Sequence, residues 1–168
     1  MDDDLTALRA GCDRALNLHG PQSVQDLLAT IPPGTGTDHY GEGGVVAELE
    51  TEVAGLLGFP AAAYLPSGVM AQQAALRVHA DRRGRRTVVY HPMSHLERHE
   101  DQALQRLHGL VGRPVGDPHR LLLRADLDGV GEHPAALLVE LPQRDLGGQL
   151  PPWDDLTAQV GWALERGA

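Results

Sequence analysis

Hydrophobic and polar positions follow two kinds of pattern that take turns along the chain. Apolar residues spaced by three and four predict helices at residues 5–16, 23–31, 45–57, 67–78, 94–107 and 151–166. Continuous apolar runs predict buried strands at residues 61–65, 87–90, 121–123 and 136–141. Strands that alternate with helices indicate βα units on a mostly parallel sheet, so the predicted fold class is α/β.

The segment Pro66-Ser67-Gly68-Val69-Met70 forms a predicted turn from a strand into a helix, with the alanines of the first two turns, Met70 and Val78 facing inward. The first amide N–H groups of a helix lack intrahelical partners, and the helix dipole favours an anion such as phosphate beside them. A serine N-cap next to a glycine is also common where no ligand binds. The turn by itself leaves both interpretations open.

Three histidines, His91, His95 and His99, are spaced by four residues, with Glu97 and Glu100 close by. On one helix, His95 and His99 would share a face and could hold a metal ion. The order His-x-Glu-x-His differs from the zinc-protease motif, and Pro92 indicates that His91 precedes the helix that Ser94 caps. A solvated helix face, or one histidine beside a cofactor, are the alternatives to a metal site.

A polar segment, Glu140-Leu-Pro-Gln-Arg-Asp-Leu-Gly-Gly-Gln149, follows the last predicted strand. Open α/β sheets bind ligands at the carboxyl ends of their strands, so this segment is a candidate site. A surface loop with a Gly-Gly turn is the alternative.

The composition narrows the possible partners and chemistry. The 14 basic residues against 23 acidic ones give a net charge of −9, which argues against nucleic acid and against an anionic membrane. All 14 basic residues are arginine, so chemistry that needs a lysine amine is excluded within these 168 residues. A single cysteine, an acidic N-terminus and the lack of a long apolar run predict a cytoplasmic protein.

Five ordered segments together resemble the L-threonine aldolase and β-eliminating lyase family. They are residues 38–42, residues 46–50, Ala62-Ala-Tyr-Leu-Pro-Ser-Gly-Val-Met-Ala71, Ser94-His-Leu-Glu-Arg-His-Glu100 and residues 140–148. The resemblance implies pyridoxal 5′-phosphate as cofactor and a fold-type I large domain of three α/β/α layers, here partial and incomplete without a partner. Residues 1–35 are then an N-terminal helical segment, and residues 36–168 the N-terminal half of that domain.

The resemblance also assigns the candidate site. Ser67, Gly68 and Val69 match the phosphate-binding turn, in which the family usually has threonine at the third position. His95 matches the histidine that stacks on the cofactor ring and helps to position the substrate, which makes it the candidate catalytic residue. Glu100 matches a glutamate of the same helix.

Three further residues belong to the implied site in supporting or altered roles. Gln143 falls where many family members have a histidine, so acid–base work by that residue is not carried over, although Gln143 and Arg144 are expected on the cofactor side. Tyr40 lies in a Gly-rich loop expected near a neighbouring subunit's site.

Family members carry an aspartate for the pyridine nitrogen, a lysine for the Schiff base and a small C-terminal domain, none of which this sequence contains. Three interpretations follow. The first is one half of a split lyase, which cleaves a β-hydroxy amino acid to glycine and an aldehyde or eliminates a β-substituent. A second polypeptide, in a hetero-oligomer, would then supply the lysine and the C-terminal domain. The others are a non-catalytic remnant that binds a partner, and a histidine metal site.

Overall fold

The computed structural model describes residues 8, 11–12, 23–37 and 43–168. Tyr40 and nearly all of the helix predicted at 5–16 lie outside these residues, so both stay predictions. The chain divides into two compact units, Met1–Tyr64 and Leu65–Ala168. No helix in the described ranges is long and apolar enough to cross a membrane.

The first unit contains two helices, α1 (Val24–Ala29) and α2 (Val45–Leu57). Ser23 starts α1 with a capping box, in which its hydroxyl accepts from the amide of Asp26 and the Asp26 carboxylate accepts in return. Gly58 ends α2 with a φ of 70°, a left-handed conformation that glycine adopts without strain. Both helices were predicted, and the prediction of 23–31 for α1 is three residues too long.

The strand predicted at residues 61–65 is wrong. The segment forms no strand, and Tyr64 is half exposed. Its amide donates to the Glu50 carboxylate at 2.7 Å rather than to a neighbouring strand. Pro60 and Pro66 flank the run, and proline cannot donate to a strand ladder.

The second unit holds the sheet, with helices before and after each strand. Its regular elements are α3 (Gly68–Arg83), β1 (Thr87–Tyr90), α4 (His95–Arg98), α5 (Ala103–His108), β2 (Val111–Pro114), β3 (Ala136–Leu138) and α6 (Trp153–Glu165). Two 3₁₀ turns, Arg124–Gly129 and Arg144–Leu146, lie between them. The strands are ordered β2-β1-β3 and all pair in parallel, with Val88 opposite both Gly112 and Ala136. The predicted α/β class with a parallel sheet is confirmed.

The core lies on both faces of this sheet. Val88 and Tyr90 point to one face, where they pack with Leu76 of α3. Val89 points to the other face, where it packs with Trp162 of α6. Successive strand residues alternate between faces, so the short apolar run TVVY serves both cores. The result is three layers, with α3 and α6 on opposite sides of the strands.

Two strand predictions need correction. No strand forms at residues 121–123, because the Leu122 carbonyl accepts from the Gln159 side chain and Leu122 packs in the Trp162 cluster. Strand β3 is shorter than the predicted 136–141 and is followed by a cis peptide bond between Leu141 and Pro142.

The buried face of α3 also differs from the prediction. Met70 and Val78 are about half exposed, whereas Gln73, Leu76 and Ala80 are the buried residues. The polar Gln73 is buried because its side chain bonds to a carboxylate beneath the helix. An apolar pattern alone does not reveal such a face.

Candidate functional site

The polar segments that follow β1 and β3 meet at one end of the sheet. These strands are parallel neighbours, so their carboxyl ends lie at the same edge, where open α/β sheets bind ligands. Helix α4 follows β1 after a short turn, and the polar segment 140–149 follows β3. The candidate residues therefore converge from two parts of the sequence.

The turn before α3 has the geometry of an anion site. Ser67 is the N-cap, and its hydroxyl accepts from the Met70 amide at 3.1 Å. In the part of the chain that the structure describes, the amides of Gly68 and Val69 have no acceptor. A Cβ placed on Gly68 would meet no described atom within 4 Å, so the space beside Gly68 is open. Free amides at the positive end of a 16-residue helix suit a phosphate.

His95 begins α4 and is held through its ring. Its Nδ1 lies 3.0 Å from Oε1 of Glu100. The Glu100 side chain is 1% exposed, and that of His95 is 34% exposed. One edge of the imidazole is thus fixed inside the protein while the remainder reaches the surface.

Glu100 receives two amide donors besides the histidine. Gln72 donates to Oε1 at 2.9 Å and Gln73 donates to Oε2 at 2.6 Å. Because the carboxylate acts as an acceptor on both oxygens, Nδ1 of His95 must be the donor of their hydrogen bond. Nε2 is then the ring nitrogen that can accept a proton. The two glutamines are site residues that the sequence reasoning missed.

The same contacts place His95 relative to the α3 turn. Gln72 follows Gly68 by four residues, which puts both on one face of the helix. Because Gln72 and His95 share the Glu100 oxygen, His95 lies on the Gly68 face of α3, about one turn farther along. The structure therefore brings together His95 and Glu100, both of which were predicted, beside the helix that begins at the predicted turn.

The helix predicted at 94–107 is broken into α4 and α5. Asp101 and Gln102 have φ angles of 46° and 60°, which no continuing α-helix allows. Glu100 lies within the break, where the chain turns its buried carboxylate toward α3. A single long helix was therefore a wrong prediction.

The break also bears on the metal interpretation. The rings of His95 and His99 lie 5.1 Å apart between centroids, and His99 Nε2 is 2.8 Å from Asp145. His91 is buried, with Nδ1 accepting from the Met93 amide and Nε2 bonded to the Asp117 carbonyl. Within the described ranges, no three His, Cys, Asp or Glu side chains converge to hold a metal.

Glu140 fixes the start of α4 from across the sheet edge. Its Oε2 accepts from the His95 amide at 2.8 Å, and its Oε1 accepts from the Arg144 amide at 3.1 Å. Ser94 is the N-cap by position, but its side chain makes no capping bond, and its buried hydroxyl has no partner among the described residues. Glu140 therefore supplies the cap that Ser94 was predicted to give. Glu140 belongs to the predicted site segment 140–149 but was not predicted as a cap, although a carboxylate directly after a buried strand is the available signal.

Gln143 and Arg144 differ in where their side chains go. Gln143 is 4% exposed, and its amide nitrogen donates to the Met93 carbonyl at 2.8 Å and to Glu140 at 3.2 Å. This side chain ties the two loops together. Arg144 is exposed, and its guanidinium has no partner in the described part of the chain.

Known proteins with similar sequences and folds define the family of this chain. The sequence model of the beta-eliminating lyase family matches residues 23–168. A Listeria monocytogenes EGD-E structure, provisionally named an L-allo-threonine aldolase, is 38% identical, with a TM-score of 0.86 over 98% of this chain and 47% of that one. An Exiguobacterium sp. 255-15 structure, provisionally named an aromatic amino acid beta-eliminating lyase/threonine aldolase, is also 38% identical. Its TM-score is 0.81, over 89% of this chain and 43% of that one. None of the curated proteins compared with the chain matches it.

An α/β unit with a parallel sheet and a polar site at its strand ends is a partial large domain of a fold-type I enzyme. The chain belongs to the beta-eliminating lyase family, whose members use pyridoxal phosphate. The resemblance read from the sequence is confirmed. The chain spans less than half the length of each of these two solved structures.

Proposed function

We propose that these residues form the phosphate- and histidine-bearing part of a pyridoxal-phosphate lyase of threonine-aldolase type. The lysine comes from a second polypeptide. The observation that carries the proposal is the His95–Glu100 pair, held on the same face of α3 as the open Gly68 turn. An exposed imidazole with a fixed tautomer beside free helix amides suits a ligand that has both a phosphate and an aromatic ring.

The residues present fit the cofactor. The phosphate would take the Gly68 and Val69 amides, which have no acceptor among the described residues. Val69 carries no hydroxyl, so the backbone and the helix dipole would supply the binding. The exposed part of the His95 ring would lie against the pyridine ring.

In the proposed reaction His95 holds and moves a proton. Pyridoxal phosphate, when bound, draws electrons from the bond that breaks at the amino acid Cα. Nε2 of His95 accepts the proton of the substrate's β-hydroxyl, while Glu100 stabilises the resulting imidazolium through Nδ1. The Cα–Cβ bond would then break with release of an aldehyde, and return of the proton to Cα would give glycine. Elimination of a β-substituent at the same site is the alternative chemistry.

Three other residues have proposed supporting roles. Arg144 is exposed and its backbone amide donates to Glu140, and its guanidinium would pair with the substrate carboxylate. Gln143 would act indirectly, because its amide is engaged with Met93 and Glu140. Tyr40 lies outside the described residues, and its role near a neighbouring subunit's site stays a prediction.

The lysine must come from outside these residues, since none of the 168 is lysine. We propose a hetero-oligomer in which the second polypeptide carries that lysine and a C-terminal domain. A cytoplasmic location stays a prediction of the sequence. The alternative function is a remnant that binds a partner without turnover.

The test is purification of the tagged chain from the cells it comes from, followed by reduction with borohydride and peptide mapping. We expect the cofactor on a lysine of a co-purifying polypeptide, and release of glycine from a β-hydroxy amino acid. A complex without cofactor or turnover would favour the remnant. A natural chain longer than 168 residues that carries its own lysine would overturn the split organisation alone.

Variants of His95 separate the two roles given to it. His95→Phe keeps a ring for stacking but removes both ring nitrogens, so we expect cofactor affinity to stay and glycine release to fall by about 10²–10⁴-fold. His99→Phe, the matched control one turn away, should leave both unchanged. Full activity of His95→Phe would contradict the proton-transfer role.

A further inference from the structure

A groove of about 360 Å³ runs along the outer edge of β3. Its lining is mostly apolar and includes Ala75 and Leu76 of α3, Ala136, Leu137 and Leu138 of β3, and Ala163 of α6. All of these residues belong to the second unit. Gln72 also lines the groove and donates to Glu100, so the groove adjoins the contacts that hold His95.

The strand at the bottom of this groove is paired on one side only. Strand β3 pairs with β1, and no described residue pairs with its other edge. The backbone N–H and C=O groups that face outward therefore lack a strand partner. Such an edge is a template for a further strand.

The helices on both faces extend past this edge. Ala136 and Leu138 pack with Leu76 beneath α3, whereas Leu137 packs in the Trp162 cluster beneath α6. The groove touches all of these layers, so its walls are helices on the two faces of the sheet. The element that fits is an extended strand, about 4.8 Å from β3 and apolar on both faces.

We propose that the β3 groove binds an apolar β-strand of the lysine-bearing polypeptide, an inference that rests on the proposed function. Relatives 38% identical to this chain are more than twice as long as the part it matches, so their fold contains residues that this chain does not. A second copy fits less well. In a second copy, α3 and α6 also flank the β3 edge. The helices of the two copies would therefore collide before the two β3 strands could pair.

The probe is the part of the Listeria protein that this chain does not match, co-expressed as a separate tagged polypeptide. We expect the two polypeptides to co-purify, and the backbone amides of 136–138 to exchange hydrogen at least about tenfold more slowly in the complex.

Ala75→Arg places a charge on the exposed α3 wall of the groove, so the amount of the tagged polypeptide that is captured should fall at least about tenfold. Ala158→Arg, on an exposed position of α6 outside the groove, should leave capture unchanged. Thermal unfolding of each variant chain alone, compared with the wild-type chain, shows that the fold is intact.

Several results would overturn the proposal. They are a folded chain that captures nothing, capture that Ala75→Arg does not weaken, and unchanged exchange at 136–138. A dimer of the chain that Ala75→Arg alone disrupts would assign the groove to a second copy instead. A complex that forms through the groove but holds no cofactor would leave this inference standing and refute the proposed function. A complex that holds the cofactor but is insensitive to Ala75→Arg would refute this inference and leave the proposed function standing.

Discussion

Nδ1 of His95 lies 3.0 Å from a Glu100 carboxylate that is almost fully buried and also accepts from two glutamines of α3. The acceptor role of Glu100 on both oxygens determines which nitrogen of His95 carries the proton. The buried Glu100 side chain thus links two elements. They are α3, which starts at the proposed phosphate-binding turn, and His95, which begins α4. The site and the packing of α3 depend on the same contacts.

Glu100→Gln tests this dependence. Its amide would place an N–H₂ group against the N–H₂ donors of Gln72 or Gln73, leaving buried donors unsatisfied. We expect a loss of about 1–3 kcal/mol in the free energy of unfolding, measured by urea titration. Nitrogen NMR of His95 should also show loss of the fixed Nδ1–H tautomer.

Glu52→Gln is the matched control, since Glu52 is exposed on α2. It should change the free energy of unfolding by less than about 0.5 kcal/mol. If Glu100→Gln were equally mild and the histidine signals did not move, the carboxylate would not position His95.

Much of the fold was predictable because its signals are local. Helices α2, α3 and α6 show helical spacing with a glycine at or after their ends, and β1 is an apolar run. Strand β2 was missed because Val111-Gly-Arg-Pro at a sheet edge has neither alternation nor a continuous apolar run. The false strand at 121–123 has the right composition, but its backbone is satisfied by the Gln159 side chain, a contact 37 residues away.

The candidate site was predictable where a residue acts through its own position in a motif, as Ser67, His95 and Glu100 do. Gln72, Gln73 and Glu140 act through partners between 27 and 45 residues away. Their roles depend on where the fold brings those partners. Residue spacing along the sequence does not predict which of these distant residues form pairs.

Gly112→Ala tests the packing between β1 and β2. A Cβ at position 112 would overlap the Tyr90 hydroxyl and lie 2.8 Å from Gln105 Nε2. The hydroxyl has little room to move, because Tyr90 is buried and donates to Glu97 at 2.6 Å. We expect a loss of about 1–3 kcal/mol in the free energy of unfolding, measured by urea titration.

Gly161→Ala is the control for added volume. Gly161 lies within α6, and a Cβ there meets no atom within 4 Å. Alanine is the better helix former, so this change should stabilise the protein by about 0.5–1 kcal/mol. Equal effects of the two substitutions would show that the crowding at Gly112 relaxes without cost.

Val69→Thr tests the proposed phosphate turn. Val69 is the second residue of α3, and threonine is nearly the same shape but adds a hydroxyl donor. One added hydrogen bond of about 1 kcal/mol should tighten pyridoxal phosphate binding by about fivefold, measured by titration of the assembled complex. Val78→Thr, the same change at an exposed valine farther along α3, should have no effect. Equal affinity for all three proteins would place the phosphate elsewhere.

The final prediction concerns acid stability through Asp126. Arg120 donates to both carboxylate oxygens, at 2.6 and 2.7 Å, and this hydrogen bonding holds the pKa of Asp126 below its ordinary value despite partial burial. A carboxyl group with a lower pKa in the folded state stabilises the protein above the unfolded pKa of about 3.9. That contribution is lost as the pH falls through the folded value. We therefore expect the difference in free energy of unfolding between wild type and Asp126→Asn to be constant above about pH 5 and to shrink below about pH 4.

Asp128→Asn is the control, because it removes a more exposed partner of Arg124. Urea titrations across this range should show almost no such change for this variant. A difference for Asp126→Asn that did not shrink in acid would mean that the loss comes from packing and not from the charge.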